Sequence, residues 1–291
     1  MGLFTGLLIA GSVMAALGIG LSSILALANK TLHVYEDPRI DRVEEMLPGV
    51  NCGACGSPGC RAFAEKLVGG EASPSQCTVS LPETTAAIAA FLGVDAGARE
   101  KRVARLACAG GSNVARMRAV YHGIETCRAA ALVAGGGKGC PWGCLGFGDC
   151  VASCPFDAIT MNEYSLPVVD EGKCTACGNC VDACPKALFS IQPADRRLWV
   201  ACANRAAGAT ARRDCEVACI GCGLCAMDAP PGAITIVQNL ATIDYSHNAA
   251  ISPEAIQRCP TGAIVWLNET GGAVRGARAQ KIVRRQPLPV G

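Results

Sequence analysis

CPWGCLGFGDCVASCP, residues 140–155, and CTACGNCVDACP, residues 174–185, decide how this chain is read. The second run is C-x2-C-x2-C-x3-C-P. Three thiolates spaced two residues apart can grip three corners of one cubane iron–sulfur cluster, while the cysteine before proline points to a neighbouring one. The first run ends in the same C-P but has three and then five residues between its early cysteines, which loosens the loop without lowering the ligand count. The whole chain has 291 residues, 20 of them cysteine. In a small secreted protein such cysteines imply disulfides; here they fall in metal-ligand spacings. Aromatic residues are scarce and Gly and Ala abundant, so bound metal is expected to organise much of the fold.

Two such runs in tandem resemble a bacterial two-cluster ferredoxin. The resemblance implies [4Fe-4S] clusters on two sets, Cys174, Cys177, Cys180 with Cys154, and Cys140, Cys144, Cys150 with Cys184. Zinc is the competing reading of C-x2-C pairs, and a doubled C-P run suits isolated tetrahedral sites poorly. The formal charge of +2 falls to about −6 or −8 with four or five dianionic cubes aboard. That argues against a nucleic-acid partner, which wants a basic face.

Leu3–Ala28 carries no charged side chain and is long enough to cross a bilayer. The start has no Lys or Arg, which disfavours a cleaved signal peptide. Lys30, Arg39 and Arg42 follow the span. The positive-inside rule therefore places the N-terminus outside and the remainder in the cytoplasm, as a single-pass protein of the inner membrane. The stretch LPGVNCGACGSPGCRAFAEKLVGGEASPSQC holds Cys52, Cys55, Cys60 and Cys77, enough for one more [4Fe-4S] cluster, with zinc again the alternative. A helix is expected over Thr84–Val94, then an Arg-rich connector and an Ala-rich segment, Val103–Val133, helical or looped.

The phrases CPFDAITM at Cys154 and CPKALFSI at Cys184 recur as APPGAITI at Ala229 and CPTGAIVW at Cys259. This fourfold internal repeat predicts a second ferredoxin-like unit. Its Cys219, Cys222, Cys225 and Cys259 are complete. The four positions of its other site are Ala229, Ala249, Ser252 and Ala255, so one cluster is lost as a set and one kept. Cys108, Cys127, Cys202 and Cys215 remain over, and a fifth cluster across the two units is one reading of them; buried thiols are the other.

The expected fold is α+β: a membrane anchor (1–29), an iron–sulfur domain (30–82), a helical connector (83–135), two ferredoxin-like units (136–200 and 201–268) and a disordered basic tail (269–291). The tail's Arg275, Arg278, Lys281, Arg284 and Arg285 could meet anionic headgroups. His33, His122 and His247 are scattered, and no catalytic constellation or dinucleotide-binding glycine loop is present. The expected chemistry is one-electron transfer, with Ile159, Leu188, Ile234 and Ile264 keeping water from the clusters.

The uncharged span, the C-x2-C-x4-C-x16-C domain and the tandem ferredoxin motifs, in that order, resemble the B subunits of Rnf complexes. The phrases GCLGFGDCVASCPFDAI and ACIGCGLC look like those of the longer members from anaerobes. That resemblance implies a component of a membrane-bound ferredoxin:NAD+ oxidoreductase that transports Na+ or H+. Its partners would be soluble ferredoxin, the membrane subunits and a flavoprotein that handles NAD. A membrane-tethered polyferredoxin serving another reductase, and a zinc-stabilised scaffold, are the alternatives.

Overall fold

The computed structural model describes residues 2–32, 36–98, 100–268 and 272–290; His33 and the start of the tail, 269–271, lie outside them. Helix α1, Gly2–Leu32, is followed by α2, Pro38–Met46, α3, Cys60–Val68, and α4, Pro82–Leu92. At 1.5 Å per residue α1 is longer than the hydrocarbon thickness of a bilayer. Its stretch Gly11–Thr31 has a mean hydropathy of 1.9 and is not buried against the other described residues. The Asp37 carboxylate accepts the Arg39 N–H, and Pro38 presets the first turn, so α2 starts where the sequence has its cap. Val43 and Leu47 of this segment pack on Phe63, Ala64 and Leu67 of α3 and on Ile88 of α4. Arg61 clamps the same pair of helices from outside, reaching Glu36, Asp41 at 2.9 Å and Glu44 at 2.8 Å.

Strand β1, Arg102–Leu106, comes next, then α5, Cys127–Leu132, α6, Asp149–Ala152, β2, Ile159–Met161, β3, Pro167–Val169, α7, Asn179–Ala183, and β4, Phe189–Pro193. The second half comprises β5, Leu198–Val200, α8, Gly208–Asp214, α9, Leu224–Asp228, β6, Ile234–Val237, β7, Leu240–Ile243, β8, Ile264–Leu267, and β9, Ala273–Arg275. The architecture is thus α+β. Each of the four repeated phrases runs into a strand: β2, β4, β6 and β8. The sheets are small and antiparallel: β1 with β4, β2 with β3, β6 with β7, and β5–β8–β9. Arg102 pairs with Pro193 and Leu106 with Phe189; Leu198 pairs with Trp266 and Val200 with Ile264.

Two expectations change here. The connector is not helical throughout, because β1 is drawn into the first ferredoxin-like unit as the partner of β4. Three of its residues are buried, and a VAR-L run has more to gain from that sheet than from a solvated helix. The expectation of a disordered tail also fails. Strand β9 adds to β8, Ile282 packs beside Val114 and Cys215, and Leu288 N–H donates to the Ser112 carbonyl at 2.9 Å. Arg284, read as a lipid contact, binds Glu216 at 3.1 Å and the Asn113 carbonyl at 3.0 Å. The chain therefore returns from the second unit across the junction to the first.

Arg105 of β1 and Glu171, in the loop before Cys174, form an ion pair with side chains 7% and 9% exposed. Arg105→Met would leave Glu171 charged and unpaired in the interior, at a cost of about 3–5 kcal/mol. The expected outcome is a clear fall in the urea midpoint of the full chain, and Glu171→Leu in the same background should restore part of it.

Candidate iron–sulfur centres

The third cysteine of each run sits in a one-turn helix, Cys150 in α6, Cys180 in α7 and Cys225 in α9. Each helix is entered through a glycine in the left-handed region, Gly148 at φ 80°, Gly178 at 90° and Gly223 at 75°. Any other residue there would be strained. This turn curls the backbone around the space that the sulfurs face.

The structure gathers the twenty cysteines in five groups of four. Cys52, Cys55, Cys60 and Cys77 line one cavity, beside Phe63. Asn51 Oδ1 accepts the Cys60 N–H at 2.7 Å and so caps α3 at the rim. Cys219, Cys222, Cys225 and Cys259 line a second, closed by Pro260 and Ile264. Cys154, Cys174, Cys177 and Cys180 influence one another: burial, then the neighbouring Cys174, Cys177 and Cys154, push the Cys180 thiol up to about 12. Cys52 also contributes to raising the Cys177 thiol, which places the N-terminal domain next to this group.

The two remaining groups differ from the expected sets by one exchange. Cys144, Cys150 and Cys184 share their cavity with Cys127, not with Cys140. Cys140 lines another cavity with Cys108, Cys202 and Cys215. Asp149, the residue before Cys150, explains the first half of the exchange. Its carboxylate accepts the N–H of Cys127 at 2.8 Å and of Arg128 at 3.1 Å, capping α5 and fixing Cys127 beside α6. Cys140 is drawn the other way. Gly139 N–H donates to the Arg116 carbonyl at 2.8 Å, and Arg116 N–H to the Asp214 carbonyl at 3.0 Å, bringing Cys140 to Cys215.

The two units correspond position by position. Cys108 follows β1 by two residues, as Cys202 follows β5. Cys140-x3-Cys144 matches Cys215-x3-Cys219. Cys108 Sγ accepts N–H groups of Gly110 and Cys144, both at 3.4 Å. Cys202 Sγ accepts those of Asn204 at 3.4 Å and Cys219 at 3.3 Å. The paired C-x3-C spacings are the signal in the sequence that identifies Cys140 with Cys215 and frees Cys127 for the other group.

Four of the groups line partly open cavities of similar size. Among the described residues no three His, Cys, Asp or Glu side chains converge closely enough to hold a single metal ion. Four thiols spread round a cavity suit a cube and not a zinc ion. Ile159, Leu188, Ile234 and Ile264 are all buried. In the second unit's lost site, Ala255 is buried with Ile251 and Ile256, and Arg258 binds Asp228 through both carboxylate oxygens. An open pocket lined by Asp228, Ser252, Pro253, Glu254, Gln257 and Arg258 remains there, with no cysteine among its lining residues.

Two family models match where these groups lie. That of the FeS family, an Fe-S cluster domain, covers residues 47–79, and that of the 4Fe-4S dicluster domain covers residues 140–188. The chain is 42% identical to the B subunit of the Na(+)-translocating ferredoxin:NAD(+) oxidoreductase complex of Acetobacterium woodii, over 90% of this chain and 78% of that protein. This chain belongs to the family of B subunits of ion-translocating oxidoreductase complexes. It is 38% identical to the B subunit of the ion-translocating oxidoreductase complex of Methanosarcina acetivorans, over 87% of this chain and 96% of that protein. It is 41% identical to the B subunit of the proton-translocating ferredoxin:NAD(+) oxidoreductase complex of Clostridium ljungdahlii, over 87% and 89%.

Burial pushes the thiols of Cys144, Cys150, Cys202, Cys215 and Cys225 up to about 12. In the unfolded chain they ionise at about 8.5. The folded, cluster-free chain therefore holds its thiol protons more tightly, and this contribution is fully present below about pH 8.5 and is lost as pH rises towards about 12. The urea midpoint of cluster-free protein under reducing conditions is expected to fall between about pH 8 and pH 10. A midpoint flat or rising over that window contradicts the burial of these groups.

Proposed function

We propose that this chain is the iron–sulfur electron-relay component of a membrane-bound, ion-translocating ferredoxin:NAD+ oxidoreductase complex. It would bind five [4Fe-4S] clusters and pass single electrons between soluble ferredoxin and its partner proteins in the complex. The observation that carries this is the complete partition of twenty cysteines into five contiguous groups of four. In order along the molecule they are Cys52/Cys55/Cys60/Cys77, Cys154/Cys174/Cys177/Cys180, Cys127/Cys144/Cys150/Cys184, Cys108/Cys140/Cys202/Cys215 and Cys219/Cys222/Cys225/Cys259. When bound, the cubes supply the one-electron chemistry. The protein holds them in sequence, excludes water with the buried isoleucines and leucine of the repeats, and presents N–H groups to the sulfurs.

The Cys108 group is tied to each of its two neighbours by a hydrogen bond. Cys144 carries its sulfur in one cavity and donates its N–H to Cys108 of the next, and Cys219 does the same towards Cys202. At the far end Cys222 is the exposed cysteine, which suits exchange with a soluble carrier. Helix α1 would anchor the chain as one transmembrane span, with Lys30, Arg39 and Arg42 marking the cytoplasmic side of the inner membrane.

Anaerobically prepared protein should hold about 20 iron and 20 acid-labile sulfide per chain, four of each per cube. Cys127→Ala and Cys140→Ala should each remove about four iron, and the double variant about eight, because the two residues belong to different sites. A double variant that loses no more than either single one would place both on one cluster and refute the partition. Zinc in place of iron and sulfide would refute the relay.

A further inference from the structure

Resting on the relay reading, we infer that the junction site, Cys108/Cys140/Cys202/Cys215, has the highest reduction potential of the three successive sites centred on it, set by the Lys138 ammonium. Electrons arriving from either side would collect there.

A one-electron reduction takes an oxidised [4Fe-4S] site with four thiolates from about −2 to about −3. A fixed positive charge beside it favours the reduced state, and in a low-dielectric setting the effect is not screened away. Lys138 lines the junction cavity. Its ammonium is held there by the Gly110 carbonyl at 2.7 Å and by the Cys144 carbonyl. Among the described residues it is the one charged side chain lining that cavity. Asp214 also acts on Cys140, but Arg118 binds it at 3.5 Å. The net local charge is therefore positive.

The linings of the flanking sites carry no such excess; Lys138 reaches one sulfur of the nearer of them, that of Cys144, against two of the junction site, those of Cys140 and Cys215. The cavity of Cys127, Cys144, Cys150 and Cys184 is lined by Asp149 and Lys186, which offset each other. That of Cys219, Cys222, Cys225 and Cys259 has no charged lining residue among those described. The correspondence of the units makes the contrast internal: Lys138 precedes Cys140 by two residues, and its counterpart before Cys215 is Arg213, which is exposed to solvent. Asn204 adds to the effect. It is 1% exposed, its Oδ1 accepts the Ala206 N–H at 2.8 Å, and this orientation aims Nδ2 at Cys140 Sγ, 3.4 Å away. Backbone N–H groups reach the sulfurs of the flanking sites too, for example Leu188 to Cys184 at 3.5 Å. Hydrogen bonds alone therefore do not separate the three sites; the cation does. In the step itself a neighbouring site is oxidised by one electron and the junction site reduced by one, with no proton required.

The test is an anaerobic, EPR-monitored redox titration of the full chain and its variants, with iron counted in each. Cys108→Ala identifies the junction site. It should lower iron by about four and abolish the wave of highest potential among the three sites, leaving those that Cys127→Ala and Cys222→Ala each remove. Lys138→Met, with iron retained, should lower the reduction equilibrium constant of the junction wave about tenfold, or about 59 mV for one electron. Lys138→Arg should restore most of it. If Lys138→Met loses the junction iron, Asn204→Leu should still lower the same wave, by a smaller factor. A junction wave below either flanking wave, or one unmoved by Lys138→Met, overturns the inference while leaving the relay intact. Full iron in Cys108→Ala instead overturns the five-site reading on which it rests.

Discussion

The sulfur of Cys108 accepts the N–H of Cys144, and the sulfur of Cys202 accepts that of Cys219. These two equivalent contacts set the geometry of both ferredoxin-like units. Each fixes a cysteine at the end of a unit's first strand against the start of its main cysteine loop. Each also leaves that cysteine facing outward, towards the other unit. The junction site is what two such units make when placed together. Apolar burial could not hold them alone, since the junction core consists largely of alanine, valine and cysteine. The C-terminal segment supplies further support, bridging Gln257 and Pro260 of the second unit to Ser112 of the first.

Much of this was legible in the sequence because the repeat is local. The C-P phrase before each strand, and the glycine two residues ahead of Cys150, Cys180 and Cys225, encode a turn, a ligand and a strand within a few residues. The N-terminal domain is equally local, with Cys52 to Cys77 closing on one helix. The anchor follows from a run of uncharged residues. What was not legible depends on contacts between distant segments. The Asp149 carboxylate caps a helix more than twenty residues upstream in the chain, and nothing about an isolated aspartate advertises that. Without that cap in view, Cys140 takes the place that belongs to Cys127. The C-x3-C pair carried the information, but only as a comparison between units.

The tail shows the same limit in another form. Its glycines and arginines have the composition of a solvated segment, yet Gly276 lies where any Cβ would fall 1.9 Å from the Ile256 carbonyl oxygen. Composition recorded what the segment could not bury by itself. The groove left beside Ile256 and the Glu216 carboxylate determine where it goes. The missing second site of the second unit obeys the opposite logic. There all four ligand positions hold small residues, with an Asp228–Arg258 pair beside them, so the sequence reports the loss directly.

Anomalous diffraction at the iron edge, on anaerobic crystals of the full chain, tests the central claim most directly. Five iron peaks per chain are expected, with one enclosed by Cys108, Cys140, Cys202 and Cys215 and its neighbour by Cys127, Cys144, Cys150 and Cys184. Four peaks, or a peak joining Cys140 to Cys144, Cys150 and Cys184, would contradict that claim.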